Sequence, residues 1–333
     1  MRWLALTLLL PALAAGAEPP SSSTPLSPGW APLIAPTSVL LPGLGHLLRG
    51  ERKAGGIMLG AAGIATTVSA GAAAFLIFSG ASDVSAAVGI PLLLTGVSTL
   101  LLLAIIDWVG TFAGDGAPHT VDSWSARFRI AASVLAPMRA GSPASPELIA
   151  SHRGERWLIQ ARARTTVNGP GTSVEGGAGV RVFGYSAHEP RAGLWLEAGL
   201  RYEWFDATRL LRARAQLVST LPMGVFAPRL ARLTTLFRLG VDPTWVWYSG
   251  RSGADVELPL SGGFEARVVI TEPLRLFAGY EHSRDGALGG LATGFLGNFY
   301  GGAELSLFPS FVVFARATAG TPNGFTLGLE WRQ

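Results

Sequence analysis

The sequence predicts a mainly β chain: an antiparallel transmembrane β-barrel of about 12 strands, within a range of about 10 to 12, preceded by an α-helical hairpin of the transmembrane type. Three observations predict it. The 333-residue chain is 49% hydrophobic and only 14% charged, whereas soluble domains average about 25% charged residues. Its C-terminal part alternates apolar and polar residues with a period of two. Its N-terminal part contains two long runs without a charge.

The chain divides into five segments. Arg2, the apolar stretch WLALTLLLPALA and the small-residue motif Ala15-Gly16-Ala17 are typical of an export signal that is cleaved near Ala17. A Pro/Ser-rich stretch without periodicity follows. The predicted segments are a signal peptide at 1–17, a linker at 18–41, an apolar helical hairpin at 42–109, a linker at 110–124 and a β-barrel at 125–333.

Two uncharged runs predict the hairpin. Residues 54–78 and 84–106 are each long enough to cross a bilayer as a helix, and the short SGASD between them makes the helices antiparallel. Glycines at small-xxx-small spacings predict a close approach of the two helices. These glycines are Gly55, Gly56, Gly60, Gly63 and Gly71. A buried hairpin in a soluble core is the alternative.

The segment before the hairpin, LPGLGHLLRGERKAGG, resembles the glycine-rich entry of small bacterial two-helix membrane modules of the TM2-like kind. His46 stands where those modules usually have glutamine. The resemblance covers a small part of the chain, and these modules have no well-defined activity. It therefore implies a membrane hairpin and no particular function. The matching positions are Pro42, Gly43, Gly45, Gly50 and Gly55, with Lys53 as the basic residue before the span.

Residues 194–205, LWLEAGLRYEWF, show the alternation of the C-terminal part. Their leucines fall on one side of an extended chain, and Glu197, Arg201 and Glu203 fall on the other. About eleven such runs follow one another from residue 125 onward. Because bacterial barrels have even strand numbers, a turn at 241–243 gives about twelve strands, and omission of the first run gives about ten.

The apolar sides of these runs could contact lipid or the core of a soluble sandwich. Sandwich strands have about five or six residues and membrane strands about nine to eleven. Several runs have the longer length, and 255–270 exceeds it. The connections 186–191 and 206–207 are short, whereas 137–154 and 283–293 are long, as in outer-membrane barrels. We therefore expect lipid outside; a periplasmic β-domain tethered by the hairpin is the alternative.

The last residues, FTLGLEWRQ, resemble the targeting strand of bacterial outer-membrane β-barrel proteins, in which alternating apolar residues end on an aromatic one. Here Trp331 is followed by Arg332 and Gln333. The resemblance is to the class and to no specific family. It implies the outer membrane of a Gram-negative-type bacterium as the location, with membrane lipid and the barrel-assembly machinery as partners.

The polar sides of the runs carry arginine and glutamate in mid-strand. In a narrow barrel these side chains would form Arg–Glu ladders along the lumen, because the planar guanidinium suits paired and partly dehydrated sites. The candidate lumen residues are Arg162, Arg164, Glu175, Arg181, Glu197, Arg201, Glu203, Arg212, Arg214, Glu257, Glu265, Arg267, Arg275, Glu281, Glu304 and Arg316.

Several function classes are disfavoured. The net charge of +4 comes mostly from scattered arginines without a basic run, so we expect no nucleic-acid partner. The absence of cysteine excludes thiol catalysis and cysteine-ligated metals, and the histidine spacings predict no metal and no cofactor. Outer-membrane lipid hydrolases carry His-x-Ser-Asn on a strand. Here His282 and Ser283 are adjacent and would point to opposite faces, so we predict no catalytic residue.

Three functions remain. The chain could be a narrow pore with a modest anion preference from its arginine excess, or a closed barrel in which the ladders only stabilise the fold. Small barrels of about 8 strands are filled by side chains, and barrels of 16 or more leave a channel. The third is an interaction protein, in which the hairpin recruits an unidentified protein through its glycine faces and the β-domain anchors it.

Overall fold

The computed structural model describes residues 37–80, 83–112, 126–138, 143–167, 171–184, 192–205, 207–225, 231–282, 297–320 and 323–333. The predicted signal peptide, its cleavage site near Ala17 and most of the two predicted linkers lie outside these residues.

The N-terminal part is helical. Its helices are α1 (Leu44–Leu48), α2 (Arg52–Phe78) and α3 (Asp83–Phe112), and α2 packs against α3. The mean hydropathy is 1.8 over Ala54–Phe78 and 2.3 over Val88–Trp108, so both helices are long and apolar enough to cross a bilayer.

The close approach of α2 and α3 depends on other small residues than the predicted ones. A Cβ atom on Gly96 of α3 would lie 2.2 Å from the Ser69 hydroxyl oxygen of α2. On α2, in contrast, a Cβ atom on Gly56, Gly60 or Gly63 would meet nothing within 4 Å, and the same holds for Gly71. The prediction that these four glycines face the partner helix is therefore wrong. The buried face of α2 is formed instead by Ala54, Met58, Ala62, Ala65 and Ala72.

Asp107, near the end of α3, fastens the beginning of α1. Its carboxylate accepts hydrogen bonds from the backbone N–H groups of Gly45 at 3.0 Å and His46 at 3.1 Å. The His46 Nδ1 atom lies 2.6 Å from the same carboxylate, and both side chains are buried. A carboxylate at a helix N-terminus satisfies N–H groups that have no partner within the helix. The glycine-rich entry and the far end of the helical pair are thus joined by one buried side chain.

We expect Asp107→Asn to loosen α1, because an amide accepts weaker hydrogen bonds than a carboxylate and places an N–H2 group against donors. A loss of about 1–3 kcal/mol corresponds to a roughly 5- to 150-fold faster amide hydrogen exchange at residues 44–48 if local opening governs exchange. Thr67→Ala is the control, since its exposed hydroxyl bonds only to the Gly63 carbonyl of its own helix. Unchanged exchange in Asp107→Asn would contradict the assigned role.

Fourteen strands make up the C-terminal part of the described chain. They are β1 (Phe128–Pro137), β2 (Ser145–Arg153), β3 (Trp157–Thr165), β4 (Thr172–Gly184), β5 (Gly193–Phe205), β6 (Thr208–Pro222), β7 (Leu233–Val241), β8 (Thr244–Tyr248), β9 (Asp255–Glu257), β10 (Leu260–Val269), β11 (Leu274–His282), β12 (Asn298–Phe308), β13 (Phe311–Ala319) and β14 (Gly324–Arg332).

Twelve of these strands close into a barrel. The order is β5-β4-β3-β2-β1-β14-β13-β12-β11-β10-β7-β6, and β6 pairs with β5 to complete the ring. The first strand, β1, is antiparallel to the last strand, β14, from Arg129 opposite Arg332 to Pro137 opposite Gly324. The structure confirms the predicted antiparallel barrel of 12 strands. The remaining strands, β8 and β9, continue β7 and β10 along the same wall: β8 pairs with residues 208–212 of β6 on the edge opposite β5, and β9 pairs with β8.

The predicted strand number is correct, but the strands that make up the twelve differ from the predicted ones. The break at Asp242-Pro243 exists, but the strand after it, β8, continues β7 along the same edge of β6 and adds no strand to the ring. The twelfth ring strand is β2, which lies within the region 137–154 that we predicted to be a loop. The predicted single run 255–270 is also divided, because Pro259 separates β9 from β10. Proline has no N–H to donate to a ladder.

The barrel is apolar outside and charged inside. On β5, Leu196 and Leu200 are 47% and 59% exposed, whereas the intervening Glu197 is 6% exposed. The same reversal of the soluble pattern recurs around the ring. Exposed apolar side chains include Ile130, Val134, Leu148, Ile159, Val174, Val180, Leu276, Leu305, Phe325, Leu327 and Leu329, and buried charged ones include Arg201, Glu203, Arg212, Glu265, Arg275, Glu304, Glu330 and Arg332.

Candidate functional site in the barrel lumen

The strand register aligns charged residues across four neighbouring strands. Arg162 of β3 lies opposite Glu175 of β4, Glu175 lies opposite Arg201 of β5, and Arg201 lies opposite Arg212 of β6. Side chains of directly opposed residues lie on the same face of a sheet, so a single inward row results. We call this row, with its bonded neighbours, the β3–β6 ladder.

Glu203 lies beside the two directly opposed arginines of the β3–β6 ladder. Arg201 and Arg212 are directly opposed, and like charges in this position repel. The Glu203 carboxylate lies 2.9 Å from Arg201 Nε and 3.6 Å from Arg212 Nη2, and it is completely buried. One carboxylate therefore lies between two guanidinium groups and offsets their repulsion.

The ladder continues on both sides. Arg214 Nη1 donates to Glu175 at 3.1 Å and Arg214 Nε lies 3.5 Å from Asp242. At the other end, Glu147 of β2 pairs with Arg162 and lies 2.9 Å from Arg164 Nη2. Sequence reasoning missed Glu147 because its strand was predicted to be a loop.

A second row, the β11–β1 ladder, lies on the other half of the ring. Glu304 accepts from Arg275 Nη1 at 3.4 Å and from Arg332 Nη2 at 2.9 Å. Arg332 also lies 3.7 Å from Glu330, and Glu330 lies 3.0 Å from Arg129 Nε. Arg332 follows the expected terminal aromatic residue, and its place in this ladder is a structural reason for that departure. Arg129, Glu330 and Arg332 were on predicted polar faces but not among the candidate lumen residues.

Glu281 of β11 connects the two halves of the ring electrostatically. Four guanidinium groups act on its carboxylate through their positive charge, those of Arg162, Arg214, Arg238 and Arg316. In the ring order, β3 and β11 stand on opposite sides, so the interaction between Arg162 and Glu281 crosses the lumen. We call Glu281 and its four arginines the central belt. Arg238 was missed as a candidate although it alternates with apolar residues in the sequence.

An aromatic side chain completes the belt. The Tyr300 hydroxyl donates to Glu265 at 2.8 Å. The Arg316 guanidinium carbon lies 3.7 Å from the centre of the Tyr300 ring, a cation–π contact that is strongest where water is excluded. Tyr300 thus holds one carboxylate and one guanidinium of the lumen in fixed positions.

An inner apolar cluster fills another part of the interior. Trp195, the centre of this cluster, is completely buried and packs with Leu158, Ala192, Val218 and Leu236. The Arg153 guanidinium lies 4.5 Å from the Trp195 ring centre and 3.7 Å from Glu197. Side chains of this size narrow the lumen beside the ladders.

The remaining predicted lumen residues lie outside the two ladders and the central belt. Glu197 accepts from Gln216 Nε2 at 3.1 Å. Arg181 lies opposite Trp195 and is half-buried, as is Arg267 on β10. Glu257 of β9 lies opposite Thr244 of β8, which lies opposite Arg212 of β6, so Glu257 is on the inward face of the same wall. The line of inward residues that the sequence extended to 257 therefore continues past Pro259.

His282 lies beside Tyr280, away from the ladders. The two residues are on the same face of β11 as the exposed Leu276, and the His282 Nδ1 atom lies 3.1 Å from the Tyr280 hydroxyl. Ser283, its partner in the hydrolase hypothesis, lies outside the described residues. No cluster of three or more potential metal ligands occurs within the described residues.

No protein-family model and no curated protein matches the chain. Several solved structures are similar to it at low identity. The "KdgM porin in complex with disordered oligogalacturonate" is 9% identical over 62% of this chain and 99% of that one, with a TM-score of 0.42. The NanC porin is 8% identical over 62% and 100%, with a TM-score of 0.40. The outer membrane protein Omp33 of Acinetobacter baumannii is 10% identical over 62% and 98%, with a TM-score of 0.32. At this level the likeness concerns architecture and carries no argument about function.

We expect Glu203→Gln to destabilise the barrel by roughly 3 kcal/mol, because two buried guanidinium groups lose their shared counter-charge. The measurement is the midpoint of urea unfolding of the detergent-solubilised chain, followed by the shift from the folded to the unfolded band on a gel. The matched control is Glu272→Gln, an exposed residue between β10 and β11, which should change stability by less than about 0.5 kcal/mol. Equal shifts for the two variants would show that the ladder contributes no stability.

Proposed function

We propose that this chain is an outer-membrane β-barrel of a Gram-negative-type bacterium and that it forms a narrow, weakly anion-preferring channel. The distribution of apolar and charged side chains carries the proposal. An outward surface of leucine, valine and phenylalanine around a closed ring suits acyl chains and would be costly in water. The assembly machinery of the outer membrane and membrane lipid are its expected partners, and cleavage near Ala17 is part of the same proposal.

The central belt supports a narrow constriction. Charged side chains from opposite sides of the ring act on one another in the belt, and the inner apolar cluster occupies part of the cross-section, so we expect room for small solutes only. Of the four guanidinium groups that act electrostatically on Glu281, those of Arg162 and Arg214 also pair with Glu147 and Glu175, so Arg238 and Arg316 supply the positive charge of the belt. A positive potential inside a low-dielectric wall concentrates anions and excludes cations. The preference is weak because most other arginines of the lumen are paired with glutamates.

The cross-lumen interactions also support a second candidate function. If the belt and the ladders leave no continuous water path, the barrel is closed and serves as a stable anchor in the membrane. The exposed glycine face of α2, formed by Gly56, Gly60, Gly63 and Gly71, then supports the version in which the helices recruit a protein partner. Conductance separates the two candidates.

We expect the purified full chain to conduct in planar bilayers with a small single-channel conductance and a reversal potential that indicates anion preference in a salt gradient. Arg238→Gln combined with Arg316→Gln removes two positive charges from the belt. It should shift the anion-to-cation permeability ratio toward cations by about 2- to 5-fold, as expected for charges near a narrow aqueous path. Glu281→Gln should shift it in the opposite direction.

Arg251→Gln is the control for these charge changes, since Arg251 lies in the connection between β8 and β9 and is 74% exposed at its side chain. It should leave the reversal potential unchanged. Cation preference of the unmodified chain would contradict the charge argument, and a complete lack of conductance would favour the closed barrel.

The location has its own test. In a Gram-negative host, the chain should fractionate with the outer membrane and migrate faster on a gel before boiling than after, because closed lipid-facing barrels resist detergent until heated. A single migration position together with recovery in the soluble periplasmic fraction would overturn the membrane location.

A further inference from the structure

A cleft on the rim of the barrel lies apart from the ladders and the belt. It has a volume of about 470 Å3, and its walls include Tyr202, Phe205, Thr208, Arg209, Trp247 and Tyr248. These residues come from the end of β5, the beginning of β6 and the strand β8, which pairs with β6. The proposed channel does not use them.

Part of the cleft belongs to the outward surface of the barrel. Tyr202 alternates in phase with Leu196 and Leu200, which are 47% and 59% exposed. Arg209 lies opposite Trp204 of β5 on one side and opposite Trp247 of β8 on the other. Because directly opposed residues share a face, the Arg209 and Trp247 side chains stand on the same outward wall. The cleft is therefore continuous with the apolar outer surface of the barrel.

The cleft lies at the end of the barrel that carries the longest connection. In an up-and-down barrel, successive connections alternate between the two ends. The turn from β5 to β6 is thus at the same end as the connections 249–254 and 283–297, and the opposite end has the connections 154–156, 185–192, 223–232, 270–273 and 309–310. Longer loops face the outside of the cell in outer-membrane barrels. In the proposed location, the cleft lies at the headgroups of the outer leaflet.

The lining has the chemistry of a site for a phosphorylated sugar attached to acyl chains. Aromatic rings stack on the apolar faces of pyranose rings, and Tyr and Trp combine such contact with a polar group at an interface. A guanidinium group binds phosphate through two parallel hydrogen bonds, and Arg209 is the charged residue among the described lining residues. The wall of Leu196 and Leu200 offers a surface for acyl chains.

We propose that this cleft binds a phosphorylated glycolipid of the outer leaflet, with a phosphate on Arg209, a sugar on Trp247 and Tyr202, and acyl chains along the wall of β5. The proposal rests on the outer-membrane location proposed above. It adds a lipid site on the outside of the barrel, independent of whether the lumen conducts.

The experiment titrates the full chain in detergent with lipid A that carries both phosphates and counts bound lipid by native mass spectrometry. Lipid A with one phosphate removed and phosphatidylglycerol are titrated in parallel. We expect the diphosphorylated lipid to bind best. Arg209→Gln should weaken its binding about ten-fold, the weight of one charge-assisted contact, and Trp247→Leu should weaken it for both forms of lipid A. Arg209→Lys should retain part of the affinity.

The opposite end of the barrel supplies matched controls. Arg156 is exposed and Trp157 is 43% exposed, at the short turn between β2 and β3. Arg156→Gln and Trp157→Leu should leave lipid A binding unchanged. Equal binding of phosphatidylglycerol, equal losses in the control variants, or no bound lipid would each overturn the proposal.

Every variant is first required to keep its heat-modifiable band, which shows that the barrel is folded. Conductance is measured on the same preparations. Lipid binding without conductance would contradict only the channel, and conductance without lipid binding would contradict only the glycolipid site.

Discussion

Ring closure is the constraint on which the rest of the structure depends. When the first and last strands pair and β5 meets β6, each strand has a hydrogen-bonded neighbour on both sides. A side chain on such a strand has two environments only, outside or inside. The outside of this barrel is apolar, so the charged residues have to be accommodated inside, where each of them needs a counter-charge.

The two ladders show how this requirement is met. Neighbouring strands place arginine opposite glutamate where the register allows it, as for Arg162 and Glu175. Where the register opposes two arginines, a glutamate two residues along the strand bridges them, as Glu203 does. The same pairs occupy the space through which a solute would pass. The ion pairs that stabilise the closed ring therefore also fill part of the lumen. The belt around Glu281 contributes to both.

The helical part follows a similar rule on a smaller scale. Two apolar helices can approach where side chains are small, but the face that meets the partner is selected by packing and not by composition. Alanines of α2 and Gly96 of α3 form the contact. Asp107 is buried and accepts three hydrogen bonds from α1, which is the charge compensation that an apolar environment requires. From the sequence alone, Asp107 was indistinguishable from a charged residue that ends a membrane span at the lipid interface.

Much of this architecture was determined by the sequence alone. Alternation with a period of two is a local property, so the inward or outward side of Glu197, Arg201 and Leu200 could be predicted from the letters. The sequence also limited the strand number to an even value near twelve. It could not identify β2, because Ser145 and Pro146 are typical of turns and Ile149 faces inward among polar residues, which weakens the alternation.

The tertiary structure decided what depends on distant pairing. The closure and register of the sheet decide which strand closes the ring and which arginine pairs with which glutamate. They also place Arg162 and Glu281 on opposite sides of the lumen. The paired strands are far apart in the sequence. The same holds for Asp107, which lies about sixty residues from the helix it fastens. The local alternation of the sequence determines whether a side chain points into or out of the barrel. Only the folded chain determines which side chain from another strand lies next to it.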